Sequence, residues 1–271
     1  MNIPNMIYGT AWKKEATSNL VYEAIKQGFK GVDTACQPRH YREDLVGIGL
    51  EKAYNEGLIK REDIFLQTKF TPIGGQDLDN MPYLQSDDVV TQLEKSFLKS
   101  KENLKTDFID SYVLHSPIFP ITDLVKVYRR MEDLQLSNEV GQIGISNCYD
   151  IKLLTYLYDI AKVKPKVVQN RFYKESDFDK EIRLFCKQKG IIYESFWSLT
   201  ANPHILSNKI VQNLAQKYQK SAEQIFYRFL NHIDIIPLNG TTSVSHMIED
   251  LKIVEFTLLE DEIKDISKLL D

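Results

Sequence analysis

Ile64-Phe65-Leu66-Gln67-Thr68-Lys69 is an apolar run that ends on an amine. Two other runs in the first half of the chain end in the same way. Gly31-Val32-Asp33 closes on an acid, and Ile109-Asp110-Ser111-Tyr112-Val113-Leu114-His115 closes on an imidazole. Each reads as a buried strand followed, after a short loop, by a stretch with helical spacing. The alternation continues along the chain. Candidate strands are 5–10, 29–33, 64–69, 108–115, 142–146, 166–170, 191–196 and 234–238. Helical spacing over Thr17–Gln27 turns Leu20, Ala24 and Ile25 inward. Over Asp87–Glu102 it turns Val90, Leu93, Phe97 and Leu98 inward, with Ser86 as the N-cap. Thr122–Leu136, Asp150–Ala161, Asp177–Lys189, Asn208–Asn231 and Ser243–Val254 follow the same pattern, and Glu260–Leu270 reads as one more outer helix.

Parallel strands need crossover connections, which are usually helices. Eight strand–helix units in 271 residues therefore predict an α/β fold, a (β/α)8 barrel of the TIM type, with residues 1–271 as a single domain. An open doubly wound sheet would carry Gly-x-Gly-x-x-Gly after an early strand. Gly47-Ile48-Gly49 lies inside a helical pattern and lacks the third glycine. Barrels carry their chemistry at the carboxyl ends of the strands. An acid, an amine and an imidazole on successive strands then surround one pocket.

Composition narrows the function classes. The chain is 43% hydrophobic and 27% charged, enough for a large core, and its formal net charge of −4 argues against an electrostatic footprint for nucleic acid. No apolar run approaches the roughly 18 residues of a membrane span, and the amino terminus lacks a basic-then-apolar signal pattern. Cys36, Cys148 and Cys186 are odd in number and lack metal-type spacing, which predicts a reducing, cytoplasmic setting. No metal is implied, and a monomer or weak dimer is expected.

Each candidate side chain also has a plain structural explanation. Asp33 can cap a helix, His115 can be a hydrogen-bonded core residue, and Lys69 can point to solvent at a barrel rim. An unpaired buried ammonium is costly, and an ion pair with Asp33 on the neighbouring strand removes that cost. The loop after Asp33, Thr34-Ala35-Cys36-Gln37-Pro38-Arg39-His40-Tyr41, supplies a phenol. A nearby ammonium favours its ionised form, so Tyr41 beside Lys69 suits general acid chemistry. Among 14 tyrosines, it can equally be a packing residue at the start of the next helix.

Five segments in order resemble the aldo-keto reductase family: Tyr8-Gly9-Thr10-Ala11-Trp12, Val32-Asp33-Thr34-Ala35, Leu66-Gln67-Thr68-Lys69, Val113-Leu114-His115-Ser116-Pro117 and Ile143-Gly144-Ile145-Ser146-Asn147. The resemblance spans nearly the whole chain. The loop Asp33-Thr34-Ala35-Cys36-Gln37, with His40 to Gly47 after it, resembles a branch known from microbial eukaryotes and plants. The resemblance implies carbonyl reduction by a reduced nicotinamide cofactor, NADPH by family default. It implies a catalytic set of Asp33, Tyr41, Lys69 and His115, in which Tyr41 donates the proton, Lys69 paired with Asp33 lowers its pKa, and His115 orients the carbonyl.

Ser146, Asn147 and Gln169 match the family's carboxamide-binding trio, although Ser146-Asn147 alone also reads as a helix N-cap. Phe196 or Trp197 stacks on the nicotinamide, and strand alternation lets only one face the pocket. Gly9, Thr10, Leu199, Asn239, Thr241, Thr242 and His246 complete the implied cofactor contacts.

Three departures stand out. Tyr41 lies eight places after Asp33, whereas the family's tyrosine lies five places on, where Pro38 stands, so the longer loop must curl back. The lysine and arginine that commonly clamp an adenosine 2′-phosphate are replaced by Leu238-Asn239-Gly240-Thr241-Thr242 and by His246, which admits NADH beside NADPH; Glu249-Asp250 can still meet the adenine amino group. The family's long carboxyl-terminal tail has no counterpart after Asp271, which predicts an open pocket and broad carbonyl specificity, with Trp12, Phe70, Phe119, Phe196 and Trp197 near the mouth. Two rival readings are a Schiff-base lyase using Lys69 and a nicotinamide-binding redox-sensing subunit of a partner.

Overall fold

The computed structural model describes residues 3–270; Met1, Asn2 and Asp271 lie outside them. The first half of the chain runs β1 (Ile7–Gly9), α1 (Thr17–Gln27), β2 (Gly31–Asp33), α2 (Glu43–Asn55), β3 (Phe65–Phe70), α3 (Val89–Leu104), β4 (Ile109–Leu114) and α4 (Ile121–Leu136). The second half runs β5 (Val140–Ser146), α5 (Ile151–Ile160), β6 (Val167–Arg171), α6 (Lys180–Lys189), β7 (Ile192–Phe196), α7 (Pro203–Leu206), α8 (Lys209–Tyr218), α9 (Ala222–His232), β8 (Ile235–Asn239), α10 (Val244–Leu251) and α11 (Glu260–Ser267). All eight strands pair in parallel with their sequence neighbours, and β8 returns to β1, so the sheet closes as the (β/α)8 barrel read from the sequence. The closed sheet leaves no free edge, and every residue of β3 is buried between lumen and helix layer, including Gln67, Thr68 and Lys69, whose polar groups are hydrogen-bonded to Asp33, Glu43 and Asp33 respectively.

Three helix boundaries differ from expectation. The N-cap of α3 is Asp88, whose carboxylate accepts from Val90 N–H and Thr91 N–H, not Ser86. The single helix expected over Asn208–Asn231 is two: Gln219 turns left-handed at φ 53°, and Ser221 with Gln224 forms a capping box that opens α9. α6 starts at Lys180 rather than Asp177, because residues 177–179 are left-handed and Asp179 is turned inward onto Asn170 Nδ2 and Tyr193 OH. The Gly47-Ile48-Gly49 segment is a packing device. A Cβ on Gly47 would meet Asn103 O of α3 at 1.9 Å, and one on Gly49 would meet Ser18 O of α1 at 2.5 Å. Among the described residues no helix is long and apolar enough to cross a membrane.

Candidate active site

At the carboxyl end of the barrel Lys69 Nζ donates to both carboxylate oxygens of Asp33, at 2.7 and 2.6 Å, and to Thr34 O at 2.9 Å. The pair is sealed from water, with side chains 1% and 2% exposed. Burial works against the ammonium, but the Asp33 carboxylate, assisted by Tyr41 and Glu194, holds Lys69 above its ordinary value. Asp33 does not cap a helix; α2 begins after Arg42.

The long loop curls back through Gln37. Its carbonyl accepts from His40 N–H at 3.0 Å and Tyr41 N–H at 2.9 Å, and its side-chain amide donates to Gly75 O at 2.5 Å. Trp12 N–H pins the coil by donating to His40 O at 2.7 Å. The phenol ring consequently stands 5.5 Å from Lys69 Nζ and edge-on to His115 at 6.0 Å. Among the described residues no hydrogen bond joins the Tyr41 hydroxyl to the ammonium. Burial raises the phenol, Lys69 pulls it down and Asp33 pushes it up again. The balance lies above the ordinary tyrosine value, opposite to the lowering implied by the resemblance, because desolvation of a phenolate outweighs one ammonium already engaged by Asp33.

His115 follows β4, and its Nδ1 lies 2.7 Å from the Thr71 hydroxyl. Burial, with the charges of Lys69 and His40, pushes the imidazole well below its usual range, so it is neutral at pH 7. Thr71 was absent from the residues singled out in the sequence.

Tyr41 and His115 look into a cavity of 910 Å³ whose walls also carry Gly9, Ser146, Asn147 and Gln169. Phe196, Trp197 and Leu199 line it on the β7 side, and Asn239, Thr241 and His246 on the β8 side. Thr10 and Thr242 do not line it. Thr10 is buried and donates to Asp33 O at 2.9 Å, which ties β1 to β2, and Thr242 faces solvent. Trp12 lines the mouth, but Phe70 is wholly buried in the core and Phe119 is exposed outside the cavity. Lys13 and Arg171 also reach the cavity, and neither was singled out in the sequence. The Lys13 ammonium donates to Gly240 O across the mouth.

Ser146 and Asn147 do not cap α5, whose N-cap is Asp150. Ser146 Oγ donates to Gln169 O at 2.6 Å and Asn147 Nδ2 to His115 O at 2.8 Å. Gln169 Nε2 is committed below the cavity to Asp33 and Glu194, which leaves its carbonyl oxygen for a ligand. Phe196 lies two residues after Glu194, whose side chain points into the lumen, so alternation turns Phe196 to the same face. Trp197 takes a left-handed φ of 58° and lays its ring 4.2 Å from the Arg171 guanidinium. Among the described residues no group of His, Cys, Asp and Glu is arranged to hold a metal ion.

The model of the Aldo/keto reductase family matches residues 5–271. Glyoxal reductase of Bacillus subtilis (strain 168) is 29% identical over 256 residues, covering 94% of this chain and 83% of that protein. An NAD(P)H-dependent D-xylose reductase of Pachysolen tannophilus is 25% identical over 295 residues, covering 95% of this chain and 87% of that one. Among solved structures, an aldo-keto reductase from a Medee basin deep-sea metagenome library superimposes with a TM-score of 0.84 at 25% identity, covering 99% of this chain and 92% of the other.

Proposed function

This chain belongs to the aldo/keto reductase family, and we propose that it reduces aldehydes or ketones to alcohols with a bound reduced nicotinamide cofactor. The observation that carries the proposal is the convergence of the buried Asp33–Lys69 pair, Tyr41 and His115 on one cavity wall. When bound, the cofactor supplies a hydride to the carbonyl carbon. The cavity fits such a group. Gln169 offers a side-chain acceptor to a carboxamide and Ser146 Oγ lies beside it on the cavity wall; Phe196 lines the cavity on the lumen face of β7, whereas the Trp197 ring is engaged by Arg171. We assign Phe196 as the platform.

The protein's own groups handle the oxygen. With the Thr71 hydroxyl donating to Nδ1, the neutral imidazole carries its hydrogen on Nε2 and gives it to the carbonyl oxygen, which fixes the orientation of the substrate. Tyr41, held protonated by burial, delivers the proton as negative charge builds on that oxygen. Lys69 stabilises the phenolate left behind, and Asp33 keeps the ammonium charged and in place. A Schiff base on Lys69 is disfavoured, since its hydrogens are all given to Asp33 and Thr34 and it has no free amine.

NADPH is the cofactor of this reading, with NADH admitted because Leu238-Asn239-Gly240-Thr241-Thr242 and His246 stand in place of the family's lysine and arginine; Lys13 brings an ammonium to the same loop at Gly240 O. Asn239 is further committed to Asp250 Oδ2 and Thr241 N–H, so it shapes the loop. We place the enzyme in the cytoplasm, as a monomer or weak dimer. The test has two steps. Fluorescence titration ranks NADPH against NADH, and a carbonyl panel is then run with the tighter one. Tyr41→Phe should lower turnover by about 10²–10⁴-fold while leaving cofactor affinity unchanged. Turnover that survives this change removes Tyr41 from the chemistry, and a redox-sensing subunit becomes the better reading if no carbonyl is reduced at all.

A further inference from the structure

Below the Asp33–Lys69 pair the barrel lumen holds a second carboxyl that the reaction as described does not use. Glu194 is fully buried on β7. Its Oε2 accepts from Gln67 Nε2 at 2.6 Å and from Gln169 Nε2 at 2.8 Å. Each amide nitrogen carries two hydrogens, and each gives its other one to Asp33 Oδ1, at 3.0 Å in both cases. Strand register explains the arrangement. Gln67 is the Cα partner of Asp33 and Gln169 is the Cα partner of Glu194, so the β2–β3 and β6–β7 pairs meet across the lumen.

Two carboxyls are thus bridged by two amides, with one ammonium available to neutralise them. Lys69 is held by Asp33, and among the described residues nothing donates to Glu194 Oε1. Ionised, Glu194 places a second carboxylate charge beside Asp33 in the driest part of the barrel; protonation removes that charge, and its repulsion with Asp33, without disturbing the two amide bonds to Oε2. The charged groups that face it are Asp33 and Lys69, with Tyr41 beyond Lys69, and among these Asp33 repels a charge on Glu194 while Lys69 attracts it. Burial and the Asp33 charge push its carboxyl up to about 7.

We propose that Glu194 is a positioning residue for proton transfer: protonated, it leaves the Lys69 charge free to favour the Tyr41 phenolate, and ionised, it opposes that charge and slows reduction. The proposal rests on Tyr41 as proton donor.

Its test is the pH profile of carbonyl reduction at saturating cofactor, for the unaltered enzyme and for Glu194→Gln, which keeps the size of the side chain and cannot ionise. The unaltered enzyme should lose rate with an apparent pKa near neutrality. The variant should lack that limb and decline only at the alkaline ionisation of the phenol. A neutral limb that persists in the variant overturns the proposal. Should the variant fail to fold, carbon-13 NMR of glutamate-labelled unaltered protein decides. One side-chain carboxyl should titrate near pH 7, and the absence of any such glutamate overturns the proposal. This readout needs no turnover, so it separates a failure of Glu194 from a failure of Tyr41, which Tyr41→Phe reports by itself.

Discussion

The imidazole at 115 illustrates how one hydrogen decides a role. A histidine beside a buried ammonium stays neutral, and a neutral ring donates from only one nitrogen. The Thr71 hydroxyl lies 2.7 Å from Nδ1, and when it donates there the ring hydrogen sits on Nε2, the tautomer the proposed reaction uses. Thr71→Val keeps the shape and removes the hydroxyl, so the ring can adopt the tautomer that offers the substrate a lone pair. Turnover should fall roughly 10-fold, the value of about 1.4 kcal/mol of lost hydrogen bonding in the transition state, with cofactor affinity unchanged. Steady-state kinetics with a cofactor titration checks the split; equal losses in both would assign Thr71 to the fold instead. Asp33, Lys69 and His115 were legible in the sequence because an ionisable residue that closes an apolar run has few places to go except a strand end facing a pocket. Thr71 and Glu194 carry no such contrast. A hydroxyl after a strand is unremarked, and Glu194 acquires meaning only from Gln67, 127 residues away in the chain and 2.6 Å away in space.

Among the elements, the strands were readable because both of their faces are buried, and apolar runs mark them. Helix ends were less so. Two helices separated by Gln219, Lys220 and Ser221, of which Gln219 is left-handed, keep the same apolar pattern as one long helix, and only the Ser221–Gln224 box reveals the restart. The Tyr41 loop was legible as too long but not as to how it closes, since closure depends on Gln37 reaching back to Gly75. α2 follows that loop directly, so its seating should govern the phenol. Gly47 lets α2 approach the backbone of α3, where an added methyl meets a carbonyl oxygen that cannot swing aside. Gly47→Ala should lower stability by about 3 kcal/mol, the upper end for overpacking, and reduce turnover by displacing Tyr41. Gly74→Ala, at a position with nothing within 4 Å, should leave urea unfolding unchanged. Equal unfolding midpoints for the two variants would show that the helices spread without cost.

For the molecule as a whole, the interior cluster makes stability depend on pH in the opposite sense to an ordinary paired carboxylate. Glu194 is protonated in the folded chain up to about 7, whereas in the unfolded chain it ionises in the usual carboxylate range. Between those limits the folded state binds more protons, so stability declines as pH rises through the window and levels off above it. Asp250, raised to about 6 by burial and only partly relieved by Asn239, acts in the same direction over a narrower range. Glu194→Gln removes the first contribution and leaves the second, so comparing the two proteins isolates one buried carboxyl from every surface charge. At pH 5 the unaltered protein should already lose stability with rising pH more steeply than the variant, and above pH 8 the two slopes should converge. By pH 8 the gap should have moved in favour of the variant by up to about 3 kcal/mol, from the size of the shift. Urea unfolding at both pH values measures it. A gap that stays constant would mean that Glu194 is ionised throughout in the folded barrel, with Lys69 carrying both carboxylates.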